Sequence, residues 1–244
     1  MLSLFGAITN TYFAPTLRRR RARSTRKSRH RSSSGTENGA LPRFFERYPE
    51  VELDLLIEDR RVDLSQENLD ISLWFRVPDN ANVVVRKLFE FGRVTCAAPS
   101  YLERHGMPRT PADLARHRCI IVTTFPPTQW MFQTPAGPRA LDLTPTISVN
   151  NAECKFRFVL AGQGIAQFNE YVAADALRDG RLVEVLKDYP CPDRYIGLAM
   201  YPRDRHRLPR VAAMLDFLVE TFSTRPWRAA KAKADRRPRL EVAR

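Results

Sequence analysis

Apolar residues recur along this chain with two periods, and the switches between them mark its elements. Leu41, Phe44, Phe45 and Tyr48 fall at helical spacing, and Pro49 ends that pattern. Val51, Leu53, Leu55 and Ile57 then alternate as in a strand. The pattern predicts a short helix over 62–68 and strands over 69–75, 83–88 and 93–98. Pro99 and Ser100 open a helix that Gly106 stops, and 111–116 is a second short helix with proline at its start. Strands follow over 119–123, 130–133 and 144–149, the last two flanking a Pro135–Pro138 turn. Asn150 or Asn151 caps a helix that runs to Leu160, where Gly162 ends it. A strand over 164–168, a helix over 171–178, strands over 182–186 and 195–201 and an amphipathic helix over 209–222 complete the body. Helix and strand alternating at this spacing imply β-α-β units and a largely parallel sheet in an α/β fold. There is no internal repeat.

Charge changes the picture at the two ends. The 244 residues carry a formal net charge of +13, yet nine basic residues and no acid lie between Arg18 and Arg31. The segment 225–244 adds a net +6, which leaves 32–224 at −2. The excess therefore belongs to two arms, expected to be disordered over 1–39 and 225–244, flanking a nearly neutral domain at 40–224. Such arms attract nucleic acid weakly and in a salt-dependent way. In the first arm a mildly apolar stretch precedes the basic run, the reverse of a secretory signal. An Arg- and Ser-rich, acid-free stretch also suits an organelle transit peptide, but a cytoplasmic location is the expectation. No apolar run reaches the roughly 18 residues needed to span a membrane.

Little in the sequence nominates catalysis. Cys96, Cys119, Cys154 and Cys191 are widely spaced, with no CxxC or CxxH pair, so no metal site is expected and the thiols read as buried and structural. No nucleophile elbow, phosphate loop or dinucleotide fingerprint occurs, so neither an enzyme nor a cofactor is expected. Asp63, Glu67 and Asp70 form an acidic cluster that reads as a solvated face.

Six strings in order then carry a family resemblance: LPRFFERYPEVELDL (41–55), VDLSQENLDISL (62–73), VTCAAPSYLERHGMPRTPADLARHRCI (94–120), VNNAECKFRFVLAGQGIA (149–166), AADALRDGRLVEVL (173–186) and LPRVAAMLDFLVETF (208–222). Together they resemble the effector-binding domain of LysR-type transcriptional regulators, over about residues 40–224. The resemblance implies a two-lobed type 2 periplasmic-binding-protein-like fold with two crossover strands and a small molecule in the cleft. Lobe I would comprise 40–91 and 202–224, lobe II 93–198, with crossovers near Gly92 and Ala199. Family members begin with a winged helix-turn-helix that reads DNA. Residues 1–39 show no such pattern, which points to a truncated or frameshifted reading frame. The family also has a strand directly before the helix that matches 41–48. Here that position holds RKSRHRSSSGTENG, which is no central strand.

The resemblance and the residues together nominate an effector-binding set. Thr123 and Thr124 follow a strand, where open α/β sheets place ligands, although β-propensity alone also explains them. Asn150 and Asn151 precede a helix whose N-terminus favours anions, and plain capping explains them equally. Trp74 and Arg76 stand where many family members have a basic residue and a glycine. Arg76 reads as a carboxylate partner or as a solvated crossover arginine. Trp130 resembles a packing tryptophan of the family, Asn169 replaces a common proline, and Gly162 and Gly164 read as backbone devices.

The expected function is effector sensing for a LysR-type regulator, with a small carboxylate or aromatic metabolite as partner. The chain would form a homodimer, or a mixed dimer with an intact relative. It would not bind a DNA sequence specifically by itself. The competing readings are a nucleic-acid-binding protein acting through its basic arms and a solute-binding protein of the same fold.

Overall fold

The computed structural model describes residues 13–16, 40–57, 64, 68–75, 82–124 and 129–223. In chain order its elements are β1 (Phe13–Thr16), α1 (Ala40–Arg47), β2 (Asp54–Ile57), β3 (Ser72–Trp74), β4 (Val83–Phe91) and β5 (Arg93–Ala97). There follow α2 (Pro99–His105), β6 (Ile120–Val122), β7 (Trp130–Thr134), β8 (Gly137–Leu141), β9 (Ile147–Val149) and α3 (Ala152–Leu160). The last are β10 (Ile165–Asn169), α4 (Glu170–Arg178), β11 (Val183–Glu184), β12 (Tyr195–Pro202) and α5 (Pro209–Ser223). Two compact units result. The first holds the described residues up to Phe89 together with Ile196–Ser223, and the second holds Glu90–Tyr195. The chain crosses the division within β4, between Phe89 and Glu90, and within β12, between Tyr195 and Ile196.

In the first unit β12 lies between β3 and β4, with Leu198 opposite Trp74 and Met200 opposite Ser72. Aromatic side chains fill the core. Phe44 on α1 is fully buried and meets Phe217 of α5 edge-on at 5.2 Å, and Phe89 tilts against Phe222 at 4.5 Å. A smaller cluster joins Leu64, Leu69, Leu198 and Met200. β1 pairs antiparallel with β2, from Phe13 opposite Ile57 to Thr16 opposite Asp54, and lies beside β3. A strand here departs from the expectation that 1–39 is without structure. The mildly apolar stretch upstream of the arginine run supplies it, not the residues directly before α1. The Arg18–Arg31 run and residues 225–244 lie outside the described residues, as does most of the helix expected over 62–68.

One charge reading is corrected in this unit. Asp70 is no part of a solvated acidic face: it is fully buried. Arg205 donates to its Oδ1 at 2.7 Å, and Arg210 donates to Oδ2 at 3.0 Å and to Oδ1 at 3.2 Å. Burying a carboxylate is tolerable only with such partners, and these lie far away in sequence. Asp63 and Glu67 fall outside the described residues.

The second unit is a sheet covered on both faces. β5 lies between β10 and β11, and a parallel bridge from Cys119 to Ile165 joins this sheet to the β6–β9 pair. Alternation sorts the side chains. Val94, Cys96, Ala166 and Phe168 face a cluster with Val159, Ala173 and Ala176. Ala97 and Ile165 face another with Tyr101, Leu114, Trp130, Phe132 and Leu186. Trp130 is thus a packing residue. The segment Pro111–Arg116 forms a 3₁₀ helix closed by a capping box between Thr110 and Asp113. Two backbone amides and the Arg116 guanidinium hold the Asp113 carboxyl well below the usual carboxylate range.

The expectation of a largely parallel sheet does not hold. Among the described strands β1/β2, β3/β12, β5/β10, β5/β11 and β7/β8 are antiparallel, while β6/β9 is parallel. Parallel neighbours require a crossover connection within one sheet. β5 instead enters the second unit as the continuation of β4 through Gly92, so no crossover fixes its direction. β8 carries no sequence signal for a related reason: Gly-Pro-Arg-Ala-Leu shows no alternation and is ordered by its hairpin pairing with β7.

Candidate functional site

The parallel pairing of β6 and β9 sets Ile120 opposite Ile147 and Val122 opposite Val149. Both strands end at the same level, so the residues that follow them meet. Thr123 donates its backbone N–H to the Val149 carbonyl at 2.8 Å, and its Oγ1 donates to the same oxygen at 3.3 Å. Thr124 Oγ1 donates to the Asn150 carbonyl at 2.9 Å. Asn151 caps α3, its Oδ1 accepting from the Cys154 amide at 2.9 Å. Four of the six residues nominated from sequence therefore come together at the carboxyl ends of two parallel strands and the start of a helix. That is where open α/β sheets bind ligands.

The committed hydrogen bonds define the chemistry left over. Both threonine hydroxyl protons are used on backbone carbonyls, so these oxygens present lone pairs outward. Thr123 and Asn150 are exposed, and Thr124 and Asn151 are half-buried. The arrangement accepts hydrogen bonds at the threonines rather than donating to a carboxylate there. Of the remaining two nominees, Trp74 ends β3 half-buried against the cluster of Leu64, Leu69, Leu198 and Met200. Arg76 lies outside the described residues.

Sequence reasoning missed a polar pair inside the same sheet. Gln167 on β10 and Thr95 on β5 are cross-strand partners, 5% and 6% exposed. Gln167 Nε2 donates to Thr95 Oγ1 at 3.5 Å, and its Oε1 is buried without a partner among the described residues. The Gln167 carbonyl accepts from Lys155 Nζ at 2.8 Å, and that ammonium stands 4.8 Å from the Phe168 ring centroid. The available signal was a glutamine in the apolar run Ile165–Phe168, where a buried acceptor demands a donor. Asn169 caps α4 without a side-chain bond and donates instead to the Tyr171 hydroxyl at 2.9 Å.

The thiols divide by position. Cys96 and Cys119 are buried, and burial pushes the Cys119 thiol up to about 11. Cys191 is half-buried and Cys154 is exposed on α3, which corrects the expectation that all four are buried. A helix that packs on one side leaves its other positions facing outward, and position 154 is one of them. Burial also lowers the His117 imidazole, with help from nearby His105, beside the buried Tyr101 hydroxyl at 3.3 Å. Among the described residues no three His, Cys, Asp or Glu side chains are grouped as metal ligands would be. No described helix is long and apolar enough to cross a membrane.

The profile of the LysR substrate binding domain matches residues 38–223. The chain belongs to the LysR substrate-binding-domain family. Its LysR relatives include the probable HTH-type transcriptional regulator LtrA of Klebsiella pneumoniae, 30% identical over 73% of this chain and 59% of the relative. Another is the HTH-type transcriptional regulator DmlR of Escherichia coli, 31% identical over 72% of this chain and 57% of the relative. The chain thus spans under two thirds of the length of these curated relatives. Among solved structures, the regulatory domain of CrgA, a LysR-type regulator from Neisseria meningitidis, aligns with a TM-score of 0.68. It is 26% identical, and the alignment covers 75% of this chain and 89% of that one. The LysR match places the chain in the two-lobed periplasmic-binding-protein-like α/β fold, as the six sequence strings imply. It begins at residue 38, so β1 lies outside it.

Proposed function

We propose that this chain is the effector-sensing domain of a LysR-type transcriptional regulator and binds a small metabolite at the β6–β9 strand ends. The observation that carries the reading is the convergence of Thr123, Thr124, Asn150 and Asn151 there. With their hydroxyl protons committed, the threonines receive donor groups of the effector, such as hydroxyls or amines. Asn150 is exposed and supplies an amide that can both donate and accept. A hydroxycarboxylate suits this set better than a plain carboxylate or an unsubstituted aromatic one. Anything that binds the native state selectively raises its melting temperature. The test is a thermal melt of the full chain with hydroxycarboxylates, unsubstituted aliphatic carboxylates and aromatic carboxylates in parallel. The expected result is a cooperative melt raised most by a hydroxycarboxylate, with the shift lost in Thr124→Val. Equal behaviour of Thr124→Val and the parent toward every stabilising compound rejects the site.

The same reading makes the chain a cytoplasmic partner in a dimer. Phe45 on α1 and Phe158 on α3 support it, since they remain 40% and 37% exposed in the single chain. The relatives LtrA and DmlR are both named as transcriptional regulators, which supports this over a solute-binding or tail-driven nucleic-acid role.

A further inference from the structure

Residues 203–207 read Arg-Asp-Arg-His-Arg, and their three arginines do not share one task. Arg205 turns inward and is committed to Asp70, with Asn68 as a second partner. Arg203 and Arg207 are exposed, and neither has an ion-pair partner among the described residues. Together with Val84, Tyr201, Asp204 and His206 they line an open cavity of about 580 Å³. All six residues belong to the first unit. Val84 is near the start of β4 and Tyr201 near the end of β12, so the cavity sits at the strand ends away from the points where the chain changes unit. The Arg203 amide donates to the Asn82 carbonyl at 3.1 Å and ties these two ends together.

The lining is chemically divided. Tyr201 is 5% exposed, its ring stacked 6.0 Å from that of His206 at 26°, and Val84 is half-buried beside it. These form a wall for an apolar body. Two guanidiniums without an ion-pair partner among the described residues suit a carboxylate bidentately, and far better than a lysine pair would. Asp204 disfavours a dense polyanion and accepts a hydrogen bond from a hydroxyl. The volume lies in the range of small-molecule sites, about 300–1,000 Å³. We propose that this cavity binds a small monocarboxylate bearing an apolar body and a hydroxyl group, as a second ligand site separate in sequence and in unit from the β6–β9 strand ends.

The probe is 4-hydroxybenzoate, titrated calorimetrically into the full chain, with inorganic phosphate as the comparison anion. The expected result is saturable binding that weakens by about ten-fold or more in Arg203→Gln/Arg207→Gln, the loss expected when charge-assisted hydrogen bonds are removed. Both arginines are exposed and have no ion-pair partner among the described residues, so the double variant is expected to keep the parent's melting temperature. That constancy distinguishes a lost site from a lost fold. Three results overturn the proposal. One is no heat up to millimolar probe. Another is unchanged affinity in the double variant. The third is phosphate binding as tightly with the same arginine dependence, which marks a simple anion patch. Because the effector reading is tested through Thr124, it stands or falls apart from this result.

Discussion

Asp70 shows why a single residue's surroundings decide what its charge does. It follows Asp63 and Glu67 in sequence, which suggests a solvated acidic face, but Leu69 and Ile71 flank it directly and its partners Arg205 and Arg210 approach from the other end of the chain. Nothing local announces that pairing. Removing the carboxylate leaves two partly buried guanidiniums uncompensated, so Asp70→Ala costs about 3–5 kcal/mol by the usual scale for broken buried pairs. Chemical denaturation of the variant reads this directly, and a change below about 1 kcal/mol would show that solvent already screens the pair. The thiols give a second prediction at this scale. Cys119 is buried among Leu114 and its neighbours with its thiol pushed up to about 11, so it is neither accessible nor ionised near pH 8. Iodoacetamide followed by peptide mass analysis should modify Cys154 first and reach Cys96 and Cys119 only after unfolding. Labelling of Cys119 in step with Cys154 would mean that this core opens in the native state. The candidate site was partly legible at this same scale. Thr123, Thr124, Asn150 and Asn151 stand next to predicted element ends, so their convergence follows once two strands are placed in register. Gln167 was not, because its significance lies in a buried oxygen without a partner among the described residues, which is a property of packing.

Among the elements, those with a strong period were readable and those defined by a partner were not. α1, α5, β5 and β10 carry their own apolar rhythm, whereas β8 has none and exists through β7. Strand direction is not legible in the sequence, because alternation of helix and strand says nothing about which unit a strand enters. The α3 segment joins these matters to function. Its C-terminal side ends at Gly162, whose φ of +70° is the left-handed conformation a helix stop uses, and Gly164 then packs directly on the Arg118 backbone. A Cβ at 164 meets the Arg118 carbonyl oxygen, which is backbone and has no room to give. Gly164→Ala should therefore lower the melting temperature and disturb the β10–β6 junction, where the Ile165 amide donates to that carbonyl at 2.8 Å. A melt equal to the parent's would show that the junction shifts freely. At the other end of α3, Asn151→Ala removes a cap worth about 1 kcal/mol, while Asn151→Ser retains a capping oxygen. If serine restores stability without restoring the effector-induced rise in melting temperature, Asn151 touches the ligand. If serine restores both, the residue is a cap and nothing more.

At the scale of the whole molecule the two units differ in what each needs to be complete. The second draws every described strand from residues 90–195, inside the family match, and owns a core on both sheet faces. The first depends on β1, which precedes the family match and is the one described strand hydrogen-bonded to β2. Taking β1 away leaves four residues of β2 without ladder partners and uncovers the side of β3 on which β1 lies. Unpaired backbone groups and exposed apolar surface both weigh against a native state that is only marginally stable. Calorimetry of the full chain against a chain starting at Ala40 separates the units. The full chain is expected to retain the cooperative unfolding of both, while the shortened chain loses the first unit's share of the enthalpy and keeps the second's. Hydrogen exchange on the same pair of proteins assigns the loss, since protection should vanish at Leu198 to Met200 and in α5 but persist in β5 and β10. Equal protection in both chains would mean that β1 is dispensable and that β2 is held by its turns alone. The comparison also constrains how the basic arms are studied. Deleting 1–39 removes β1 with the arginine run, so their contribution to nucleic-acid binding is better tested by substituting the arginines between 18 and 31 while Phe13–Thr16 stay in place.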